Sequence, residues 1–421
     1  MAISAATVWE IRTTGLTTNG GGFANLSPGV SVDYSQQDTP ILTRADFLKG
    51  VGANDITTSA GVACFTQAMI GNIICMTTTT LRFYQITAVS GDLKTITVDS
   101  TVGLSSAKSG SVGGAYNFGA NDVIFFGSTA TPIGNILYVK AGTYTPASSS
   151  IAMYGEMIFI GYNAIRNDNP TGANRPVIDF GSASHFSIAS SSSSPIYFYN
   201  LIFTGSGTFL IDNMFGGKMF ASNCKFSNTN TSTSGYRAID CIGTFVHCEF
   251  SSVKGTCISG SYIFVDCCYF HDGNTGIVVT TSGYCDIRSC VFKNFTVPAT
   301  RPQAGINLVG CSIVHVYGCI FYNCSNGIVN TTSLTDTTII VNNIFDACGT
   351  GISWYATAAA NNTFDYNCYH CSVVDVFNIS KGLHDITADP LFMFPLTNDF
   401  RLSAGSPCFN TGMQLGSIVG L

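Results

Sequence analysis

Charge is scarce in this chain. Only 10% of its 421 residues are Asp, Glu, Lys or Arg, the formal net charge is −6, and no basic run occurs. Phosphate backbones and anionic lipids are held by clustered Lys and Arg, so nucleic acid is disfavoured as a partner. Long apolar runs are missing too. None approaches the roughly 20 residues of a membrane-spanning helix, so no membrane insertion is expected. Residues 1–10 lack a basic leader followed by an apolar core. The expectation is a protein that folds in a cytoplasm, with its 17 Cys reduced rather than paired.

Metal spacing is nearly absent as well. Cys368-Tyr369-His370-Cys371 has C-x2-C spacing, but no second such pair exists to complete a four-ligand zinc site. No cofactor and no metal site are expected. The triplet Gly20-Gly21-Gly22 lacks the Lys-Ser/Thr of a phosphate loop and reads as a turn. His185, His247, His271, His315, His370 and His384 are scattered without Ser-His-Asp or Cys-His order.

What the chain has is a period. Asn200-Leu201-Ile202-Phe203 is echoed by Asn223-Cys224-Lys225-Phe226, His247-Cys248-Glu249-Phe250 and Cys267-Cys268-Tyr269-Phe270. Four further copies end at Phe292, Phe321, Phe345 and Tyr369, with the aromatics 23, 24, 20, 22, 29, 24 and 24 residues apart. A repeat in the twenties marks a stacked solenoid. Rows follow from period-2 alternation. Cys224, Cys248, Cys268, Cys290 and Cys319, two residues before the aromatic, point inward with Asn343 and Asn367. Phe198, Phe245, Val265, Ile287, Val316 and Ile340, five before it, do the same. The residues immediately before the aromatic (Lys225, Glu249, Tyr269, Val291) point outward. A ladder spreads its members one coil apart, so the Cys column reads as buried thiols and not as a metal site.

Two coils carry longer gaps: 13 residues from Phe226 to Ile239 and 14 from Phe292 to Ile306. Both insertions leave from one corner, three coils or about 14 Å apart. Insertions on one corner commonly mark a binding face. Thr229, Tyr236, Arg237, Lys293 and Arg301 are the candidate binding residues there.

These coils resemble the right-handed parallel β-helix superfamily, the pectate-lyase-like proteins. Ala388-Asp389-Pro390-Leu391-Phe392 and Asn398-Asp399-Phe400-Arg401-Leu402 resemble the closing segment of such helices, and Ala141-Gly142-Thr143-Tyr144 their first-coil turn. Trp9-Glu10-Ile11-Arg12-Thr13-Thr14-Gly15 and Asp33-Tyr34-Ser35-Gln36-Gln37 resemble leading segments of bacteriophage structural proteins of the tailspike type. The expected fold class is therefore all-β. A β-rich N-terminal capping or attachment region (1–118) precedes a parallel β-helix (119–385) and a C-terminal cap (386–421), in which residues 391–402 cover the open end. Residues 46–118 read as a small inserted β-module.

The fold hosts lyases, hydrolases, adhesins and tailspikes, so it implies no single function. Glycosidases need two carboxylates about 5–9.5 Å apart. The resemblance implies that lyases use carboxylate-bound Ca²⁺ with an Arg or Lys base. Outward carboxylates are few: Glu249, Asp266, Asp286 and, near bends, Asp240 and Asp272. Glu249, Asp266 and Asp272 are the catalytic candidates, and Asp266 is expected to pair with Arg288 one coil on. The preferred expectation is a non-enzymatic virion protein, a head-decoration or tail-appendage homotrimer. Its partners would be other copies of itself, major capsid or tail proteins, and host polysaccharide. A polysaccharide-degrading enzyme and a passive glycan-binding adhesin stay open beside it.

Overall fold

The computed structural model describes residues 7–79, 81–117, 135–146, 151–153, 156–182, 185–188, 195–213, 217–230, 237–252, 254–296, 303–332, 337–355, 362–409 and 411. It is all-β, with short 3-10 turns. No helix among these residues is long and apolar enough to cross a membrane. The chain forms two compact units, the first made mostly of residues 1–202 and the second mostly of 219–421.

In the first unit the solenoid starts earlier than the sequence suggested. Val8–Ile11 pairs in parallel with Asn135–Lys140, which pairs with Met157–Tyr162, which pairs with Ile196–Tyr199. Residues 12–115 thus leave the stack after its first rung, and Tyr116 returns beside Ile11 in a parallel bridge. Within that excursion lies a closed six-stranded antiparallel barrel. Its strands run Leu42–Lys49, Asp55–Thr58, Thr95–Val98, Leu81–Val89, Ile73–Thr77 and Lys108–Val112 around the ring. Phe47, Phe65, Met69, Tyr84 and Ile96 fill it. A four-residue first rung that meets its partner more than a hundred residues later leaves no periodic signal. The fully buried Glu10 anchors that rung, accepting from Arg12 at 2.8 Å, from Arg166 at 2.7 Å and from the Tyr162 hydroxyl.

In the second unit each coil contributes to three columns of parallel strands. One column runs Lys225–Asn228, Glu249–Ser252, Tyr269–His271, Val291–Lys293, Ile320–Tyr322, Ile344–Asp346, Cys368–His370 and Ile386–Thr387, all in one register. A second aligns Phe245, Val265, Ile287, Val316, Ile340 and Phe364. The third aligns Ile239, Ile258, Ile277, Ile306, Ile328 and Ile352. Constant register puts like above like. Phe226, Phe250, Phe270, Phe292, Phe321, Phe345 and Tyr369 stack with ring centroids 4.6–5.2 Å apart and planes within 10°.

That stacking dictates a glycine row. A Cβ on Gly276, Gly305, Gly327 or Gly351 would lie 2.5–2.9 Å from an aromatic ring carbon of Phe292, Phe321, Phe345 or Tyr369. The bends are set three residues before each aromatic. Asn223, His247, Cys267, Ser289, Gly318, Asn342 and Tyr366 all take the left-handed conformation, φ between 51° and 67°. Asn and Gly adopt it readily; His, Cys and Tyr do so at a cost of about 1–2 kcal/mol.

The bend also explains why Cys and Asn share one inward column. The carbonyl two residues earlier already accepts from the bend residue one coil before, Asn223 N–H to Val246 O, His247 N–H to Asp266 O and Cys267 N–H to Arg288 O, each at 3.1 Å, and its second lone pair faces the core. The column residue donates to it: Cys248 to Val246 at 3.4 Å, Cys268 to Asp266 at 3.2 Å, Cys290 to Arg288 at 2.9 Å. Asn343 does the same for Val341 at 3.0 Å and also reaches Val316 at 3.0 Å. The column needs a small side chain with one donor, and both residues supply it. Burial pushes the Cys290 and Cys319 thiols well above their ordinary range, so they remain protonated.

Candidate functional site

Polar side chains line the outer face of the column that includes Glu249–Ser252. Lys225, Glu249 and Tyr269 project outward before the aromatic, and His271 and Lys293 after it. Glu249 Oε1 accepts from Lys225 Nζ at 2.7 Å and from His271 Nε2 at 3.1 Å. His271 Nδ1 lies 2.7 Å from Asp272 Oδ2, and Tyr269 stacks on the imidazole at 4.6 Å. One ring therefore bridges two of the three candidate carboxylates. Asp266 stands apart, at the end of Thr256–Asp266 on the neighbouring column, where it accepts from the Cys267 thiol at 3.3 Å.

Electrostatics decide what the bridge can do. The hydrogen bond from His271, joined by that from Lys225, outweighs burial and holds Glu249 at about 2. Burial would raise Asp272, but Asn294 and His271 bond to it and bring it below the carboxylate norm. Burial opposes charge on His271, yet the bonds to Glu249 and Asp272 win and its pKa rises. Both bonds favour the charged imidazolium over the neutral ring. A glycosidase acid requires a carboxyl held protonated near neutral pH, and neither Glu249 nor Asp272 is such a group.

Asp272 has a further role. It takes φ 55°, and Asn294, Asn323 and Ala347 repeat the conformation one coil apart. Asn294 donates to Asp272 at 2.9 Å and Asn323 to Asn294 at 2.8 Å. Asp272 is the first rung of a bend ladder. The sequence placed Asp272 near a bend, but showed nothing of the ladder.

The expected Asp266–Arg288 pair does not form in this way. The two share register, but the Arg288 guanidinium grips Asp286 on its own strand, at 2.7 and 2.6 Å. Asp286, read from the sequence as outward, is only 2% exposed. Tyr284 also donates to it at 3.0 Å, and Arg288 lies over the rings of Phe264 and Tyr317. Residues i and i+2 face the same way, so the fork finds the nearer carboxylate first. Asp240 is likewise taken by Arg237.

The long-loop corner looks different from its expectation. Tyr236 and Arg301 lie outside the described residues. The Thr229 N–H and hydroxyl both donate to Gly205 O, at 2.8 and 3.1 Å. Lys293 is buried and not a loop residue. Its amine donates to Pro395 O at 3.0 Å, Leu396 O at 3.1 Å and Asn398 Oδ1 at 2.6 Å. These bonds, with Tyr269 Oη donating to Asn398 at 2.9 Å and Tyr322 edge-on to Phe400 at 5.6 Å, hold the hairpin of Phe392–Phe394 and Asp399–Leu402. That hairpin lies on the flank, beside coils well before the last rung, and does not cover the end. A single buried ammonium needing three acceptors fixes its place. Between hairpin and bend row is a cleft of about 300 Å³, lined by Cys267, Tyr269, Ser289, Val291, Asn398 and Phe400.

Residues 239–384 match the family described as right handed beta helix region. The solenoid is a right-handed parallel β-helix. Among solved structures, the Agl-KA catalytic domain is similar over 89% of this chain and 91% of its own, at 10% identity and a TM-score of 0.24. A likeness that low carries no argument about activity. No curated protein matches the chain.

Proposed function

We propose that this β-helix is a non-enzymatic structural protein of a bacteriophage virion, a head-decoration or tail-appendage protein that works as a homotrimer. Its partners would be other copies of itself and the capsid or tail proteins, with host surface polysaccharide as a contact, and it would assemble into particles in the host cytoplasm. One observation carries the reading. The outward carboxylates with the best claim to chemistry, Glu249 and Asp272, are both depressed and both bonded to one imidazole. Two more charge pairs on these coils are struts between neighbouring residues, Arg288–Asp286 and Arg237–Asp240. The phage-like N-terminal segment supports the virion part.

The test is mass spectrometry of intact particles purified from the source. The reading expects this chain at a fixed copy number that survives high-salt washing; its absence from particles sinks the virion role. A polysaccharide-degrading enzyme is the second reading. It is favoured by Glu249 and Asp272 flanking one ring, at 3.1 and 2.7 Å from its two nitrogens, which sets those oxygens roughly 8 Å apart at most, within glycosidase spacing.

A further inference from the structure

All 17 cysteines are free thiols, and one pair of them sits apart from the inward column. Cys368 precedes Tyr369 and shares register with Ile344, itself aligned with Ile320, so its side chain leaves the coil on the outer face. It is nevertheless only 4% exposed. The later chain covers it: its thiol donates to Ala388 O at 3.3 Å and is hydrogen-bonded to the thiol of Cys408. Both sulfur-bearing residues line one cavity of about 80 Å³, together with Tyr366, His384 and Thr411.

Contact and access coincide at this pair. Cys268 is also bonded to Cys248 and Cys290, and Cys348 to Cys324, but each of these five is no more than 2% exposed. A dissolved oxidant needs a reachable sulfur, and such enclosed thiols are inert. Cys408 is only partly buried. The bond to Cys368, joined by one to Ser406, favours its thiolate and lowers its pKa. Cys368 moves the other way, raised by the bond to Cys408 and by burial. The thiolate is the attacking species in thiol–disulfide exchange, so the reachable member reacts first and the enclosed member resolves.

We propose that Cys368 and Cys408 form a redox site that closes to a disulfide by exchange with a small disulfide such as oxidised glutathione. The Cys408 thiolate attacks one glutathione sulfur, and the other glutathione leaves as its thiolate. Cys368 then gives up its proton and attacks the Cys408 sulfur, and the second glutathione leaves carrying a proton. Two protein thiols are oxidised, and one disulfide is reduced to two thiols. The new bond ties the end of the chain to the outer face of a late rung, with Ile386–Thr387 and the flank hairpin inside the closed loop. The inference is independent of the virion reading.

Mass spectrometry tests it. The folded full chain is incubated with oxidised glutathione, quenched with an alkylating reagent, and cleaved with trypsin without reduction. Cleavage after Arg401 frees residues 402–421, whose sole cysteine is Cys408. That peptide is expected to stay linked to the one ending at Lys381, and reduction is expected to part them. Cys368→Ser should abolish the link and leave one glutathione on Cys408; Cys368→Ala gives the same readout if the serine variant does not fold. Cys371 is the partly buried thiol of the same peptide, and Cys371→Ser should keep the link. An unlinked Cys408 in the oxidised wild type, alkylated or carrying glutathione, overturns the proposal. So does a link that survives Cys368→Ser or is lost in Cys371→Ser.

Discussion

The barrel and the coils handle the edges of a β-sheet in opposite ways. The six strands between Leu42 and Val112 close on one another, so every strand has two neighbours and the core cluster around Phe47 is shared by the whole ring. The coils from Asn223 onward never close. Each rung sees only the rung before and the rung after, and the same contacts recur one coil apart. A closed ring should respond to damage as one body, whereas a stack should respond locally.

Truncating an interior aromatic is the strongest way to break that contrast. Phe321→Ala and Phe47→Ala should each cost about 3–5 kcal/mol. Hydrogen exchange should separate them. Phe321→Ala should loosen the rungs of Phe292, Phe321 and Phe345 and leave that of Phe226 protected; Phe47→Ala should loosen all six barrel strands together. Uniform loosening of the coils would show that the stack is not quasi-one-dimensional. Gly327→Ala should follow at about 2 kcal/mol, because its Cβ would meet the Phe345 ring at 2.5 Å and the ring has stacked neighbours on both sides. Chemical denaturation checks this, and a neutral result would mean that the ring column yields more easily than its geometry implies.

The outer flank supplies a pH-dependent version of the same test. Glu249 is depressed in the folded state, so its contribution is fully present above its unfolded value near 4.5 and is lost as pH falls toward about 2. Screening at a partly exposed site limits this to on the order of 1 kcal/mol. His271 is raised, so its contribution is present below its unfolded value near 6.5 and fades as pH climbs through the folded one. Glu249→Gln should flatten the acid limb of a stability–pH curve. The smallest effect is a gain: His247→Asn should stabilise by up to about 1 kcal/mol, because Asn accepts φ 52° more readily. A loss there would show that the His247 side chain contributes more than its bend costs.

The contrast also explains what the sequence could reveal. The aromatic column, the inward Cys and Asn rows and the outward row were legible because coil neighbours lie about two dozen residues apart and repeat. The first rung at Val8–Ile11 was not, because its partner Asn135–Lys140 lies beyond the barrel and only one such pair exists. Asp286 and Arg288 were legible as outward neighbours, but which carboxylate the guanidinium grips depends on rotamers that no period encodes. The flank position of the C-terminal hairpin hangs on the three acceptors of Lys293, a residue the spacing had assigned to a loop. At the candidate site, the sequence supplied Glu249 and Asp272 but not the imidazole that joins them, because His271 stood among six scattered histidines with no order to single it out.

The claim at the centre of this account is that Glu249, His271 and Asp272 are structural. The direct measurement is reducing-end release from a panel of bacterial surface polysaccharides, with wild type and Glu249→Gln side by side and the folding of both checked by their unfolding midpoints. The account predicts no release by either protein. Depolymerisation by the wild type that Glu249→Gln abolishes, with the fold intact, would contradict it.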